Sequence, residues 1–118
     1  MLSAITQYDK ISLQPNSGAN GEFAGLTAIM KYHQSRGDHK RKMCLIPTSA
    51  HGTNPATAAI CGMDVIPVAC NELGQIDMKD FKEKLTKHSS EICGAMITYP
   101  STYGVFESTA KEICDLVH

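Results

Sequence analysis

The sequence lacks the features that define several large classes of protein. No run of apolar residues approaches the roughly 18 that a membrane-spanning helix needs. Its 11 Lys and Arg are balanced by 12 Asp and Glu, so no overall basic field is present to attract nucleic acid. We therefore expect no nucleic-acid partner and no membrane span. A chain of 118 residues is long enough for one small hydrophobic core, so we expect a single domain or part of one.

The cysteines follow neither a disulfide pattern nor a metal-site pattern. Their number is odd, their spacing is wide and no C-x-x-C occurs; they lie at Cys44, Cys61, Cys70, Cys93 and Cys114. We expect no metal site. Unpaired thiols inside apolar runs act as small core residues and fit a reducing compartment, either the cytosol or an organelle matrix.

Strand-like and helix-like segments alternate along the chain. Strands are expected at Lys10–Leu13, Met43–Pro47, Val65–Ala69 and Ile92–Thr98, and helices at Gly21–Arg36, Ala56–Cys61, after Asp77 and after Thr109. This alternation predicts an α/β fold, with a partial parallel or mixed sheet flanked by helices. Since nothing closes the fold after the last helix, we expect residues 1–118 to be an incomplete domain whose sheet continues elsewhere.

Local signals indicate where the helices begin and which side chains they bury. Asn54 is expected to cap a helix whose first residue is Pro55, Asp77 to cap the next, and Thr109 with Glu112 to form a capping box. The apolar spacing predicts the inward-facing side chains of two helices: Phe23, Leu26, Met30, Met78, Phe81 and Leu85.

The segment Asn16–Glu22 precedes the first long helix and is rich in small residues. Glycines there let the backbone approach a ligand closely, and the free N–H groups at a helix start favour an anion such as phosphate. Ser17 and Asn20 offer further donors. The segment is neither a P-loop nor a G-x-G-x-x-G motif. A tight turn with an ordinary helix cap is the alternative.

Two further polar loops follow predicted strands, so they belong at the carboxyl edge of the sheet, where α/β proteins bind ligands. Pro47–Pro55 contains His51, which suits an acid–base group, a flat platform for a ring, a metal ligand or a simple hydrogen-bonded loop residue; metal binding is the weakest of these. Thr98–Gly104 is also compatible with a plain Pro/Gly turn. Neither loop contains a Ser–His–Asp arrangement or a G-x-S-x-G elbow.

Three runs, SLQPNSGANGEFAGL, PTSAHGTNPATA and ITYPSTYGVFE, together resemble a known family. In order and spacing they are similar to the glycine cleavage system P-protein, the pyridoxal-phosphate-dependent glycine dehydrogenase (decarboxylating). The resemblance covers essentially the whole chain. It implies that residues 1–118 are part of the large, cofactor-binding domain in the C-terminal half of that enzyme, which has a fold-type I, aminotransferase-like fold.

The resemblance also implies roles for individual residues. The residues implied to hold the cofactor phosphate are Ser17, Gly18, Ala19 and Asn20. His51 would stack on the pyridine ring, and Thr98 would contact the cofactor from the next strand edge. Thr53 and Asn54 are hypothesised to face the substrate.

In the family, pyridoxal phosphate supports the decarboxylation of glycine, and the aminomethyl group passes to the lipoyl arm of the H-protein. The resemblance therefore implies an oxidoreductase of glycine catabolism, with a full-length parent that forms a homodimer. The location would be the mitochondrial matrix in a eukaryote, with a targeting signal outside this chain, or the cytoplasm in a bacterium.

The family's Schiff-base lysine, and the aspartate that pairs with the pyridine nitrogen, lie C-terminal to the segment present here. We therefore expect no catalytic residue in this chain, no activity from the chain alone and weak cofactor binding at most. Two alternatives stay open: a non-catalytic binding or assembly module, and another fold-type I pyridoxal-phosphate enzyme with a different substrate.

Overall fold

The computed structural model describes residues 1–118 as an α/β fold. Its elements, in chain order, are α1 (Leu2–Thr6), α2 (Gly18–Ser35), β1 (Met43–Pro47), α3 (Thr53–Ile60), β2 (Asp64–Val68), α4 (Met78–Lys87), β3 (Ile92–Ala95) and α5 (Ala110–Val117). The predicted α/β class with flanking helices is confirmed.

The sheet has three strands in the order β2-β1-β3, and both pairings are parallel. Helix α3 connects β1 to its neighbour β2, and α4 carries the chain from β2 across to β3 on the other side of β1. Because the strands are parallel, the loops that follow β1, β2 and β3 all leave the sheet at one edge.

The central strand β1 is buried on both faces, as a strand of a parallel sheet must be. Cys44 and Ile46 point into one apolar cluster, together with Leu26 and Met30 of α2. Leu45 points into the other cluster, which also contains side chains of α4 and α5. Burial raises the pKa of the Cys44 thiol to about 12, which keeps it protonated. The prediction that Cys44 is a core residue is confirmed.

Two of the strand predictions were wrong. Lys10–Leu13 is irregular and pairs with no strand, because its apolar side chains find no core: Leu13 is 78% exposed. The third strand ends at Ala95 instead of Thr98. After a last backbone hydrogen bond from Met96 to Leu45, the chain turns away from β1. The strand that contains Pro67, β2, lies at an edge of the sheet, since it pairs only with β1.

The helix starts were predicted with mixed success. Asp77 caps α4 as expected, accepting hydrogen bonds from two backbone N–H groups. Helix α3 begins at Thr53 after Gly52 rather than being capped by Asn54, whose side chain is engaged elsewhere. Helix α2 begins at Gly18, three residues before the predicted start.

The proposed capping box at the last helix does not form. Thr109 occupies the N-cap position, but its hydroxyl donates to Glu107. Glu112 forms an ion pair with Lys82 of α4 instead of reaching back to the N-cap. A non-local partner therefore replaces the local one.

The predicted inner faces of α2 and α4 are largely correct. Leu26 and Met30 are buried, as is Phe81, with Met78 and Leu85 packed beside it. Phe23 was wrongly placed in the core, since it is 45% exposed. Helix α1 was not predicted and buries no residue. No helix combines the length and the apolar character needed to cross a bilayer.

A groove of about 1500 Å³ runs along the unpaired edge of β3. Ile29 and Tyr32 of α2 line one side of it, and Ile113 and Val117 of α5 line the other. None of the residues that the sequence assigned to cofactor or substrate lies in this groove. The assigned residues lie instead near the carboxyl ends of the strands and at the start of α2.

Asp80 fastens α4 to the end of β2. Its Oδ2 accepts hydrogen bonds from Lys84 Nζ at 2.7 Å and from the Ala69 N–H at 2.8 Å. The Lys84 bond, followed by the Ala69 bond, holds the pKa of the Asp80 carboxyl below its ordinary value of 3.8. A carboxyl whose pKa is lowered by folding adds stability above its unfolded pKa, and that stability is lost as pH falls through the folded pKa.

We expect the Asp80→Asn variant to be less stable than the unmutated chain near pH 7, and the difference to shrink as the pH falls below about 4. Urea unfolding across this pH range, followed by circular dichroism, measures the difference. Glu83→Gln, on the exposed side of the same helix, is the control and should show no such trend. A stability difference that stays constant with pH would contradict the assignment.

Candidate functional site

The start of α2 presents backbone donors to solvent. Ser17 is the N-cap, and its Oγ accepts the N–H of Asn20 at 3.2 Å. Gly18 and Ala19 are the first two residues of the helix, where N–H groups have no intrahelical acceptor. Since Ser17, Gly18 and Ala19 are all exposed, these amides are accessible to an anion. Ser17 thus lies where the sequence placed it, and it also caps the helix.

His51 lies on the loop after β1 with its ring exposed. Its Nδ1 is 3.2 Å from the backbone N of Thr53 and 2.9 Å from the Thr53 hydroxyl oxygen. A backbone N–H can only donate, so Nδ1 accepts, and the neutral ring carries its proton on Nε2. Thr53 therefore restrains the orientation of the imidazole of His51, which is exposed. This arrangement suits a platform for a flat ligand.

The carboxylate of Glu22, in the second turn of α2, joins that helix to α3. Its Oε1 accepts from Asn54 Nδ2 at 2.9 Å and lies 3.4 Å from the Thr53 hydroxyl oxygen. Its Oε2 accepts from the Thr57 hydroxyl at 3.2 Å. These contacts bring the loop before α2 and the loop containing His51 together at one end of the sheet.

Thr98 extends the same network to the chain that follows β3. Its hydroxyl donates to Asn54 Oδ1 at 2.9 Å. The Asn54 side chain is buried, with one end held by Glu22 and the other by Thr98. The third loop contacts the second again where the Thr102 hydroxyl donates to the Ser49 carbonyl. All three polar loops singled out in the sequence are thus adjacent.

Sequence reasoning missed the role of Glu22, although the residue lies at the end of the first loop. The available signal was spacing: Glu22 is four residues after Gly18, so both lie on one face of α2. Its partners Thr53, Asn54 and Thr57 lie 31 to 35 residues further along the chain, and no local pattern identifies them.

The chemistry of these donors fits a phosphorylated aromatic ring. The free N–H groups of Gly18 and Ala19, with the positive end of the α2 dipole, match a phosphate. A Cβ added to Gly18 would contact nothing within 4 Å, so the backbone there is open to a ligand. The exposed ring of His51 matches the flat part of such a molecule.

Replacing Thr98 with Val removes the only donor to Asn54 Oδ1 and leaves a buried oxygen unpaired. We expect this change to lower the free energy of unfolding by about 1–3 kcal/mol. Thr98→Ser keeps the hydroxyl and should lose much less. Urea unfolding of the two variants checks the expectation, and equal midpoints for both would contradict it.

No protein-family model matches the chain. Individual proteins match it from end to end. The chain is 60% identical over 118 residues to glycine dehydrogenase (decarboxylating) of Aliivibrio fischeri, with 100% of the chain and 12% of the relative covered. It is 61% identical over 117 residues to the protein of the same name from Bradyrhizobium diazoefficiens, and 59% identical over 117 residues to that from Vibrio cholerae; each match covers 99% of the chain and 12% of the relative.

The chain thus spans about one-eighth of the length of these relatives. These identities over the whole chain confirm the resemblance expected from the three sequence runs. The whole chain corresponds in sequence to one segment of the glycine dehydrogenase (decarboxylating) proteins, which are enzymes.

Proposed function

We propose that this chain supplies the phosphate-holding and ring-holding loops of a pyridoxal-phosphate site in a glycine dehydrogenase (decarboxylating). Residues 1–118 are, in this proposal, part of a fold-type I large domain. The observation that carries it is the end-to-end sequence identity of 60%, in a chain whose matching loops are hydrogen-bonded to one another through Glu22.

In this site the N–H groups of Gly18 and Ala19 bind the cofactor phosphate, and the exposed start of α2 leaves room for it. The Ser17 hydroxyl and the Asn20 side chain add donors at the same end of the helix. His51 stacks on the pyridine ring, and its orientation is held by Thr53. The proposal therefore assigns binding and orientation to these residues, and no proton transfer.

Thr98 lies beside the cofactor in this proposal, and Thr53 and Asn54 lie on its substrate side. Asn54 is buried, and both ends of its amide are occupied by Glu22 and Thr98, so it acts by holding its neighbours in place. The hydroxyl groups of Thr53 and Thr98, which are partly exposed, are the polar groups within reach of the ligands. When bound, pyridoxal phosphate supplies an electron sink for the loss of carbon dioxide from glycine. The residues of this chain position that group and exclude wrong orientations.

The remaining parts of the reaction belong to the parent enzyme. In the proposal, the Schiff-base lysine and the aspartate facing the pyridine nitrogen lie outside this segment, so the isolated chain is inactive. The aminomethyl group passes to the lipoylated H-protein, and the parent is a homodimer. Five free thiols suit a reducing compartment, the bacterial cytoplasm or the mitochondrial matrix.

Transplanting the chain tests this function. In the chimera, these 118 residues replace the matching segment of the Aliivibrio fischeri relative. We expect the chimera to bind pyridoxal phosphate, seen as a visible absorbance band, and to exchange carbon dioxide with glycine when H-protein is added. The unmodified relative is the control. A folded chimera without bound cofactor would overturn the proposal, and exchange by the isolated 118 residues would overturn the claim that they are inactive alone.

A charge at Gly18 tests the phosphate site separately. Gly18→Asp in the chimera places a carboxylate beside the proposed phosphate, and two like charges about 4 Å apart repel by several kcal/mol at an effective dielectric constant near 20. We expect cofactor affinity to fall by at least about 100-fold. Thermal stability should not fall, because an acidic side chain stabilises the first turn of a helix.

Gly18→Asn, of the same size but neutral, is the matched control and should bind the cofactor more tightly than Gly18→Asp. Titration of the cofactor-free chimeras, followed by absorbance, gives the affinities. Equal affinities in the two variants would contradict the phosphate assignment.

A further inference from the structure

Glu22 is a carboxylate held between two loops by neutral partners. It accepts hydrogen bonds from Asn54 and Thr57 and lies within reach of the Thr53 hydroxyl. None of the ion pairs in the structure includes it. We propose that Glu22 is a positioning residue, which fixes the His51 ring relative to the anion-binding start of α2. This inference rests on the proposed pyridoxal-phosphate site.

Helix α2 keeps Glu22 at a fixed separation from the anion-binding amides. Glu22 follows Gly18 by four residues, so one turn of helix, about 6 Å of rise, separates them on the same face. Whatever the Glu22 carboxylate holds is thereby kept at a constant distance from the free amides of Gly18 and Ala19.

Thr53 lies between Glu22 and the imidazole of His51. The Thr53 hydroxyl oxygen is 3.4 Å from Glu22 Oε1 and 2.9 Å from His51 Nδ1. The Thr53 backbone N–H donates to the same Nδ1 at 3.2 Å. When Nδ1 accepts from both the backbone N–H and the hydroxyl of Thr53, the single hydroxyl proton is used there, so Glu22 holds Thr53 through the bond that it accepts from the adjacent Asn54.

A neutral amide can make most of the same contacts. In Glu22→Gln, the side-chain oxygen can still accept from Asn54 Nδ2, and the NH₂ group can donate to the Thr57 hydroxyl, which also accepts. Glu22→Ala removes all of them. A positioning role therefore predicts a large effect for Ala and substantial rescue by Gln.

The experiment compares two ligands with the chimera described above. In the proposal, pyridoxal phosphate contacts both the start of α2 and the loop containing His51, whereas inorganic phosphate contacts only the start of α2. We expect Glu22→Ala to lower the affinity for pyridoxal phosphate by at least about tenfold and the affinity for inorganic phosphate by less than about twofold. Glu22→Gln should recover most of the loss. The induced visible circular dichroism of the bound cofactor should change in Glu22→Ala, because the ring is oriented differently.

Two controls match this variant. Thr57→Val removes a contact of the same carboxylate that does not lead to His51, and should alter the cofactor dichroism less than Glu22→Ala. Glu72→Ala removes an exposed carboxylate outside the site and should change neither affinity.

The outcomes are distinct. Cofactor affinity in Glu22→Ala equal to that of the unmutated chimera would overturn the positioning role and leave the proposed site standing. An equal loss of affinity for both ligands would also overturn it, because Glu22 would then stabilise the whole fold and not the position of the His51 ring. Failure of the unmutated chimera to bind pyridoxal phosphate would overturn the proposed function itself.

Discussion

Burial of β1 on both faces is the constraint from which the rest of the structure follows. Cys44 and Leu45 are fully buried on opposite sides of the sheet, and Ile46 nearly so. Fully burying one such aliphatic side chain contributes roughly 1.5–3 kcal/mol, so both faces need helices. Two helices cover each face, and the crossovers through α3 and α4 connect parallel strands. Parallel strands in turn place every strand-to-helix loop, and the start of α2, at one edge.

That edge is ordered by polar contacts instead of apolar packing. Asn54 is buried at the junction, and a buried amide without partners costs about 1–3 kcal/mol. Glu22 and Thr98 provide those partners from two other segments of the chain. The contacts that satisfy Asn54 are therefore the contacts that assemble three loops, while the amides at the start of α2 remain open. The groups that stabilise this edge are therefore different from the groups that are free to bind a ligand, although they lie close together.

The parts predicted from sequence are those decided by local patterns. Met43–Pro47, the cap at Asp77 and the buried face of α4 each follow from neighbouring residues. The errors at the starts of α3 and α5 have a common cause, which is competition from distant partners. Asn54 looked like a helix cap, but its amide donates to Glu22, 32 residues away. In the site, the loops and their shared edge were predicted, whereas Glu22 was missed because its contacts exist only after folding.

The position of Glu22 is electrostatically costly for an anion site, and that cost bears on its role. A carboxylate on the same face of a helix as a bound phosphate repels it, because both groups are negatively charged. A loop that only bound phosphate would do better with a neutral side chain. A hydrogen bond to an ionised group contributes about 1.5–3 kcal/mol, and Glu22 accepts such bonds from Asn54 and Thr57 of α3. The carboxylate is therefore favourable at this position only because it joins α2 to the loop containing His51. A ligand that needs the two loops at a fixed separation benefits from that connection, and a free anion does not.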